Sequence, residues 1–215
     1  EEVHKRGMRV IIDGVFNHCG SFNKWLDREQ LYESDDSYEK GAFLQEDSPY
    51  HDFFYFYPDG SWPDNTHYDS WWGNDTLPKL NYEGSERLEQ YIHGVARKWV
   101  ASPYCIDGWR LDVSNEVPHD FWREFRKRVK DRNPELYILG ENWDNSLPWL
   151  MGDQFDAVMN YEFAMPIWKY FRKEKEGERI YSEEQFRYAI GRLLTSYPKN
   201  VTANLFNLLE SHDTE

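Results

Sequence analysis

Arg110 and Asp112 stand two apart in "GWRLDVSNE" (108–116), inside a short apolar run. Side chains two apart on a strand point to one face, so the pair shares one space. A buried ion pair is a weak source of stability; a site that needs a carboxylate kept ionised explains the pair better. Further carboxylates, Asp13, Glu141 and Asp213, stand at the ends of other apolar runs, with His18 and His212 near two of them. Three carboxylates converging from different strands fit glycoside cleavage. One attacks the anomeric carbon and a second, held protonated, gives its proton to the leaving oxygen; for retention the two lie about 5–5.5 Å apart. A third steadies a distorted sugar, and an arginine beside the nucleophile keeps it ionised.

The elements that must position these groups follow from the apolar pattern. Residues 1–6 read as a helix end stopped by Gly7. In "MRVIIDGVF", Val10, Ile11 and Ile12 form a continuous apolar run, as in a parallel strand covered on both faces, with Asp13, Asn17 and His18 toward its C-terminal end. Residues 19–83 are rich in Asp, Tyr, Trp, Ser and Gly and hold no period. Within them "HDFFYFYPDGSWPDN" predicts a hairpin or irregular loop with turns at 58–60 and 63–65. So long an irregular stretch reads as a functional excursion or small subdomain. Ser85 then starts a helix with Leu88, Ile92, Val95, Ala96 and Trp99 on one face. "IDGWRLDV" is a strand, and Pro118 suits the first turn of the next helix, whose stripe is Phe121, Trp122, Phe125 and Val129. "LYILGENW" and "FDAVMNY" predict two more strands, 182–196 a helix and "ANLFNLLESHD" a fifth strand.

This alternation predicts an α/β fold with a parallel sheet. Asp13, Asp112, Glu141 and Asp213 fall toward strand C-terminal ends, the rim that carries the active site in a (β/α)8 TIM barrel. Asp112 and Glu141 are 29 positions apart, close to the ~30 residues of one βα unit in a ~250-residue barrel. A doubly wound sheet is the alternative; carboxylates at four strand ends favour the barrel. The chain divides into a barrel segment, 1–18, an inserted subdomain, 19–83, and a second barrel segment, 84–215. Without the insertion it supplies roughly five of the eight units. It opens EEVHKRGMRV, without an initiator Met, and reads as a piece of a longer protein whose targeting signal would lie upstream.

Composition narrows the partners. With 25 basic against 39 acidic residues the formal charge is −14, which disfavours nucleic acid and anionic membrane. No apolar run approaches a membrane span. Two cysteines, Cys19 and Cys105, make no disulfide framework and read as reduced, half-buried thiols in a (bacterial) cytoplasmic protein. Aromatics reach 18%, with ten Trp. Core packing explains many, Trp99 and Trp122 first; Trp71 and Trp72 suit packing of the insertion as well as sugar contact.

Four motifs in order resemble the α-amylase family of glycoside hydrolases (family 13): "DGVFNH" (13–18), "GWRLDVSNE" (108–116), "GENW" (140–143) and "SHD" (211–213). The resemblance runs over essentially the whole chain, from the family's third barrel strand to its seventh. It is nearest to the neopullulanase, cyclomaltodextrinase and maltogenic amylase group, whose GWRLDVANE and MPKLN are similar to residues 108–116 and to "LPKLN" (77–81). It implies a retaining enzyme that cleaves α-1,4- or α-1,6-glucosidic bonds of cyclodextrins, pullulan or starch oligosaccharides. Carried over residue by residue, Asp112 is the nucleophile, Glu141 the general acid/base, and Asp213 the stabiliser of the distorted sugar. Arg110 orients Asp112, while His18 and His212 bind that same sugar. Asp13 and Asn17 brace the site, Glu116 touches the leaving-group side and Trp143 stacks on sugar. In some amylases the residue matching Asn17 helps bind calcium; the group resembled often lacks it, and no metal or other cofactor is expected. The resemblance further implies a homodimeric parent. Asn142 departs from the usual Ile or Val after the acid, and Cys19 from the commoner Ser or Thr. Amylase-like domains that serve as transporter subunits have lost the catalytic residues, and this chain keeps all three.

Overall fold

Four apolar runs make the sheet in the computed structural model, which describes residues 1–34, 37–172 and 180–214. β1 (Ile11–Val15), β2 (Gly108–Asp112), β3 (Tyr137–Gly140) and β4 (Ala157–Val158) pair in parallel in the order β1-β2-β3-β4. Strand order equals chain order, as in a barrel wall; a doubly wound sheet would reverse at a switch point. The register sets Asp13 beside Arg110, Val15 beside Asp112 and Leu111 beside Gly140. The rim residues therefore start level.

The fifth strand expected at 203–213 is reduced to one parallel bridge, Phe206 to Met159. Its two hydrogen bonds are Asn160 N–H to the Phe206 carbonyl (2.8 Å) and Phe206 N–H to that of Val158 (3.1 Å). On its C-terminal side the ladder stops where β4 gives way directly to a helix: the Asn160 side chain caps it by accepting from the Phe163 amide. Phe206 holds the next place in the order all the same.

Helices cover the sheet. α1 (Glu2–Lys5) ends before Gly7, whose φ of +72° suits glycine. α2 (Glu86–Val100) starts at Ser85, whose Oγ accepts from the Leu88 amide, and buries Leu88, Ile92, Ala96 and Val100. Trp99 lies off that stripe: it is 37% exposed and packs on Tyr104, a correction to its expected core position. α3 (His119–Lys130) buries Phe121, Trp122, Phe125 and Val129, with Pro118 one place earlier than expected, at the N-cap. α4 (Tyr161–Phe171) went unread in the sequence, since Pro166 inside it and a weakly polar outer face mask its period. α5 (Glu183–Ser196) opens with a reciprocal Ser182–Gln185 capping box, and α6 (Lys199–Thr202) is one turn.

Residues 19–83 are held by two 3-10 turns, His51–Phe53 and Trp71–Gly73, and by antiparallel bridges Phe56–Tyr68, Ser70–Pro78 and His18–Lys79. The last ties the excursion to the segment after β1: Cys19 N–H donates to the Pro78 carbonyl (3.1 Å) and Leu80 N–H to that of Asn17 (3.0 Å). Phe53, Phe54 and Tyr68 anchor it to the main core. Cys19 is half-buried as expected; Cys105 is exposed, since it sits in the turn after α2. No helix among the described residues is long and apolar enough to cross a membrane.

His93 is the buried polar residue that the α2 stripe concealed. It is 1% exposed, stacks on Phe121 at 4.5 Å, and its Nε2 lies 3.3 Å from the Phe121 carbonyl. Burial pushes its pKa down to about 4. The unfolded chain therefore binds the proton first on acidification, and stability falls as the pH drops from 6.5 through 4. The expected loss from this residue is roughly 3 kcal/mol. Urea unfolding of wild type and His93→Gln at pH 7 and pH 4 checks this: the variant should lose less stability, and equal losses would refute it.

Candidate active site

Alternation along β2 sends Trp109 and Leu111 into the core and Arg110 and Asp112 to the opposite face. The Arg110 guanidinium is the hub. Its Nη1 donates to Asp13 (2.9 and 3.2 Å) and to Asp112 Oδ1 (2.6 Å), while Nη2 lies 3.1 Å from Glu141 Oε2. Its Nε points at Met159 Sδ, 3.5 Å away. One side chain thus touches the ends of β1, β2, β3 and β4. Burial works against the charge, but Asp13, Glu141 and Asp112 together outweigh it and hold the proton more firmly than usual.

Glu141 is 6% exposed. Its Oε1 accepts from Trp143 Nε1 (3.2 Å) and its Oε2 from the Val113 amide (3.0 Å). Val113 presents that amide from the left-handed region, φ +45°, where a β-branched residue is strained. Burial raises the Glu141 pKa, and the Asp112 charge adds to it, against the Val113 amide, Arg110 and Trp143. A carboxyl that keeps its proton above the usual range is suited to act as an acid.

An open cavity of about 740 Å³ has Asp112, Glu141 and Asp213 in its wall. Glu116, Trp143, Trp71 and Trp72 line it as well. Trp72 is 86% exposed, so packing does not account for it. Trp143 lies flat on Tyr161, ring centroids 3.9 Å apart. His18 is buried behind the rim, stacked on Trp71 at 5.2 Å, with Nδ1 3.2 Å from Asn17 Nδ2. Burial lowers its pKa, against the pull of Asp112 and Glu116, so it is neutral at pH 7. His212 is not brought to the cavity wall; its side chain is 75% exposed and its Nε2 lies 3.4 Å from Asp213 Oδ1.

Three contributors went unread in the sequence. Tyr161, at the end of "FDAVMNY", backs Trp143 and sits 3.2 Å from Ser211 Oγ; its place after a strand was the available signal. Lys79, within "LPKLN", pairs with Glu116 Oε2 at 3.1 Å. Val113 gave no signal, because left-handed backbone is not legible in a valine. Asn142 packs inward, its Oδ1 accepting from Ser114 Oγ at 2.8 Å.

Asp69, Lys79, Glu83 and Glu116 line the small polar cavity beside Asn17, and the Lys79 ammonium pairs with Glu116 there. Among the described residues no group of three or more His, Cys, Asp or Glu is placed to hold a metal ion.

A parallel wall with clustered carboxylates at its C-terminal rim defines a barrel-type enzyme scaffold. The chain belongs to the α-amylase family: the family model "Alpha amylase, catalytic domain" matches residues 1–215. It is 42% identical to a cyclomaltodextrinase of Geobacillus thermopakistaniensis over 213 residues, covering 98% of this chain and 33% of that protein. It is also 42% identical to neopullulanase 2 of Thermoactinomyces vulgaris over 218 residues, covering 100% of this chain and 34% of that protein. The solved type III pullulan hydrolase from Thermococcus kodakarensis superposes with a TM-score of 0.79 at 36% identity, over 99% of this chain and 34% of that one. The chain spans about a third of the length of the curated relatives it matches.

Arg110→Met removes the charge that three carboxylates share. It should destabilise the protein by about 3–5 kcal/mol at pH 7. The stranded carboxylates then bind protons more readily folded than unfolded, so the deficit should shrink toward pH 4. Denaturant unfolding at both pH values measures it, and a deficit that grows on acidification would contradict the hub role.

Proposed function

We propose that the protein carrying this chain is a retaining α-glucan hydrolase. It cleaves α-1,4- or α-1,6-glucosidic bonds of cyclodextrins, pullulan or starch oligosaccharides. The observation that carries this reading is the shared guanidinium: Arg110 touches both Asp112 and Glu141 at the wall of one open cavity. In the first step an Asp112 oxygen forms a bond to the anomeric carbon as the glycosidic C–O bond breaks. Glu141 gives its proton to the leaving oxygen. Water then attacks the anomeric carbon, loses a proton to Glu141 and releases Asp112. Arg110 holds Asp112 Oδ1, which leaves Oδ2 for the attack.

Asp213, in the cavity wall, steadies the distorted sugar, with neutral His18 as a partner to its hydroxyls. Glu116 and Trp143 receive the leaving-group side, while Asp13 and Asn17 hold Arg110 and His18 in place. The proposal uses no metal. A homodimeric parent and a bacterial cytoplasmic location go with the family resemblance and with two unpaired cysteines.

Incubating the full-length protein with cyclodextrin, pullulan and starch and identifying the products tests the reading; no cleavage of any of them would end it. Asp112→Asn should lower kcat at least about 10⁴-fold with substrate binding kept. Glu141→Gln should slow poor leaving groups far more than activated aryl glycosides, since only the former need the proton; equal slowing would remove the acid role. Because Glu141 acts protonated and burial raises its pKa, kcat/KM of the wild type should fall as the pH rises through that value. A rate that climbs through the same range would contradict it.

A further inference from the structure

Past the indole of Trp143 a second cavity, of about 400 Å³, opens between α4 and α5. Trp143 and Asp144 line both this cavity and the one holding Asp112 and Glu141, so the two compartments adjoin with Trp143 between them. The volume falls within the ~300–1,000 Å³ of ligand sites. Its wall alternates rings with polar groups: Tyr181 and Tyr188, then Gln185, Arg192 and Glu162. The Tyr188 side chain is not there to fill a core, being 70% exposed. Arg192 is exposed too, and among the described residues no ion pair engages its guanidinium.

The rim is braced. Tyr197 Oη accepts from the Ser146 amide at 2.9 Å and donates to the Glu162 carboxylate, tying the loop after Glu141 to α4 and to the end of α5. The Ser182–Gln185 box fixes the start of α5. The compartment is thus framed by three elements locked to one another.

Its place beside the first compartment suits an occupant continuous with whatever fills that one. A polyhydroxylated chain meets that condition: its C–H faces pack on tyrosine rings, while paired hydroxyls meet Arg192, Gln185 and the carboxylates. Trp143 and Asp144 directly follow Glu141, the group that protonates the leaving oxygen in the function proposed above, on which this inference rests. We propose that the second compartment is a distal subsite for the leaving-group end of a long α-glucan, and that it makes the enzyme prefer long chains to short ones.

The test uses the full-length protein, wild type and with Tyr188→Ala, Tyr188→Phe or Arg192→Ala. Hydrolysis of maltoheptaose and maltotriose is followed, with binding of both to Glu141→Gln protein, with and without Tyr188→Ala, by calorimetry. Tyr188→Ala should lower kcat/KM for maltoheptaose by about 3- to 10-fold, chiefly through KM, and leave maltotriose unchanged. Arg192→Ala should act in the same direction and Tyr188→Phe should retain the wild-type preference. Equal effects on both sugars, or none on either, would overturn the subsite. Tyr188-dependent binding of maltoheptaose without any turnover by the wild type would instead keep the subsite and overturn the hydrolase reading.

Discussion

Carboxylates gathered from separate strands repel one another, and the repulsion grows as water is excluded. In this protein the repulsion is absorbed by a single guanidinium. Arg110 reaches Asp13, Asp112 and Glu141 from the middle of the rim, and it can do so only because the strands lie in chain order and in matching register. Had β1 or β3 slipped by one residue, their carboxylates would face the helices instead. The charge network and the sheet alignment therefore specify each other, and the electrostatics that poise Asp112 and Glu141 differently follow from the same arrangement. Asp112 bonds to the cation and is half-buried, while Glu141 is buried against an indole and a backbone amide.

The rim is finished by segments with little regular structure. The stretch before β2 returns to the end of β1 through the His18–Lys79 bridge, which sets Trp71 against His18 and brings Lys79 to Glu116. These contacts are backbone-directed, so a loop poor in secondary structure still positions side chains. The left-handed turn at Val113 does similar work after β2: it turns an amide toward Glu141 that an extended strand would have spent on its neighbour.

Much of this was legible in advance, for identifiable reasons. Parallel strands show as continuous apolar runs, and β1, β2 and β3 had them; β1, expected to be covered on both faces, instead leaves Ile11 and Val15 exposed because it ends the sheet order. The stripes of α2 and α3 and the serine caps of α2 and α5 obey local rules that tertiary structure did not override. Arg110 and Asp112 were readable because two-residue spacing fixes a shared face. What failed to show depends on contacts distant in sequence. The last strand shrank to Phe206, its ladder stopping on the C-terminal side where Asn160 starts a helix at once. Tyr161 matters through a ring 18 positions away, and His93 looks like a surface residue until α3 covers it. His212 shares a motif with Asp213, yet motif membership places a residue near a rim without fixing where its ring goes.

The Trp143 indole is bonded to Glu141 through its N–H, stacked on Tyr161 through one face, and exposed to two compartments along its edge. Indole emission responds to the charge and polarity beside the ring. This side chain, one of ten tryptophans, therefore sits where its emission would respond both to the proton of the neighbouring carboxyl and to the filling of the cavities.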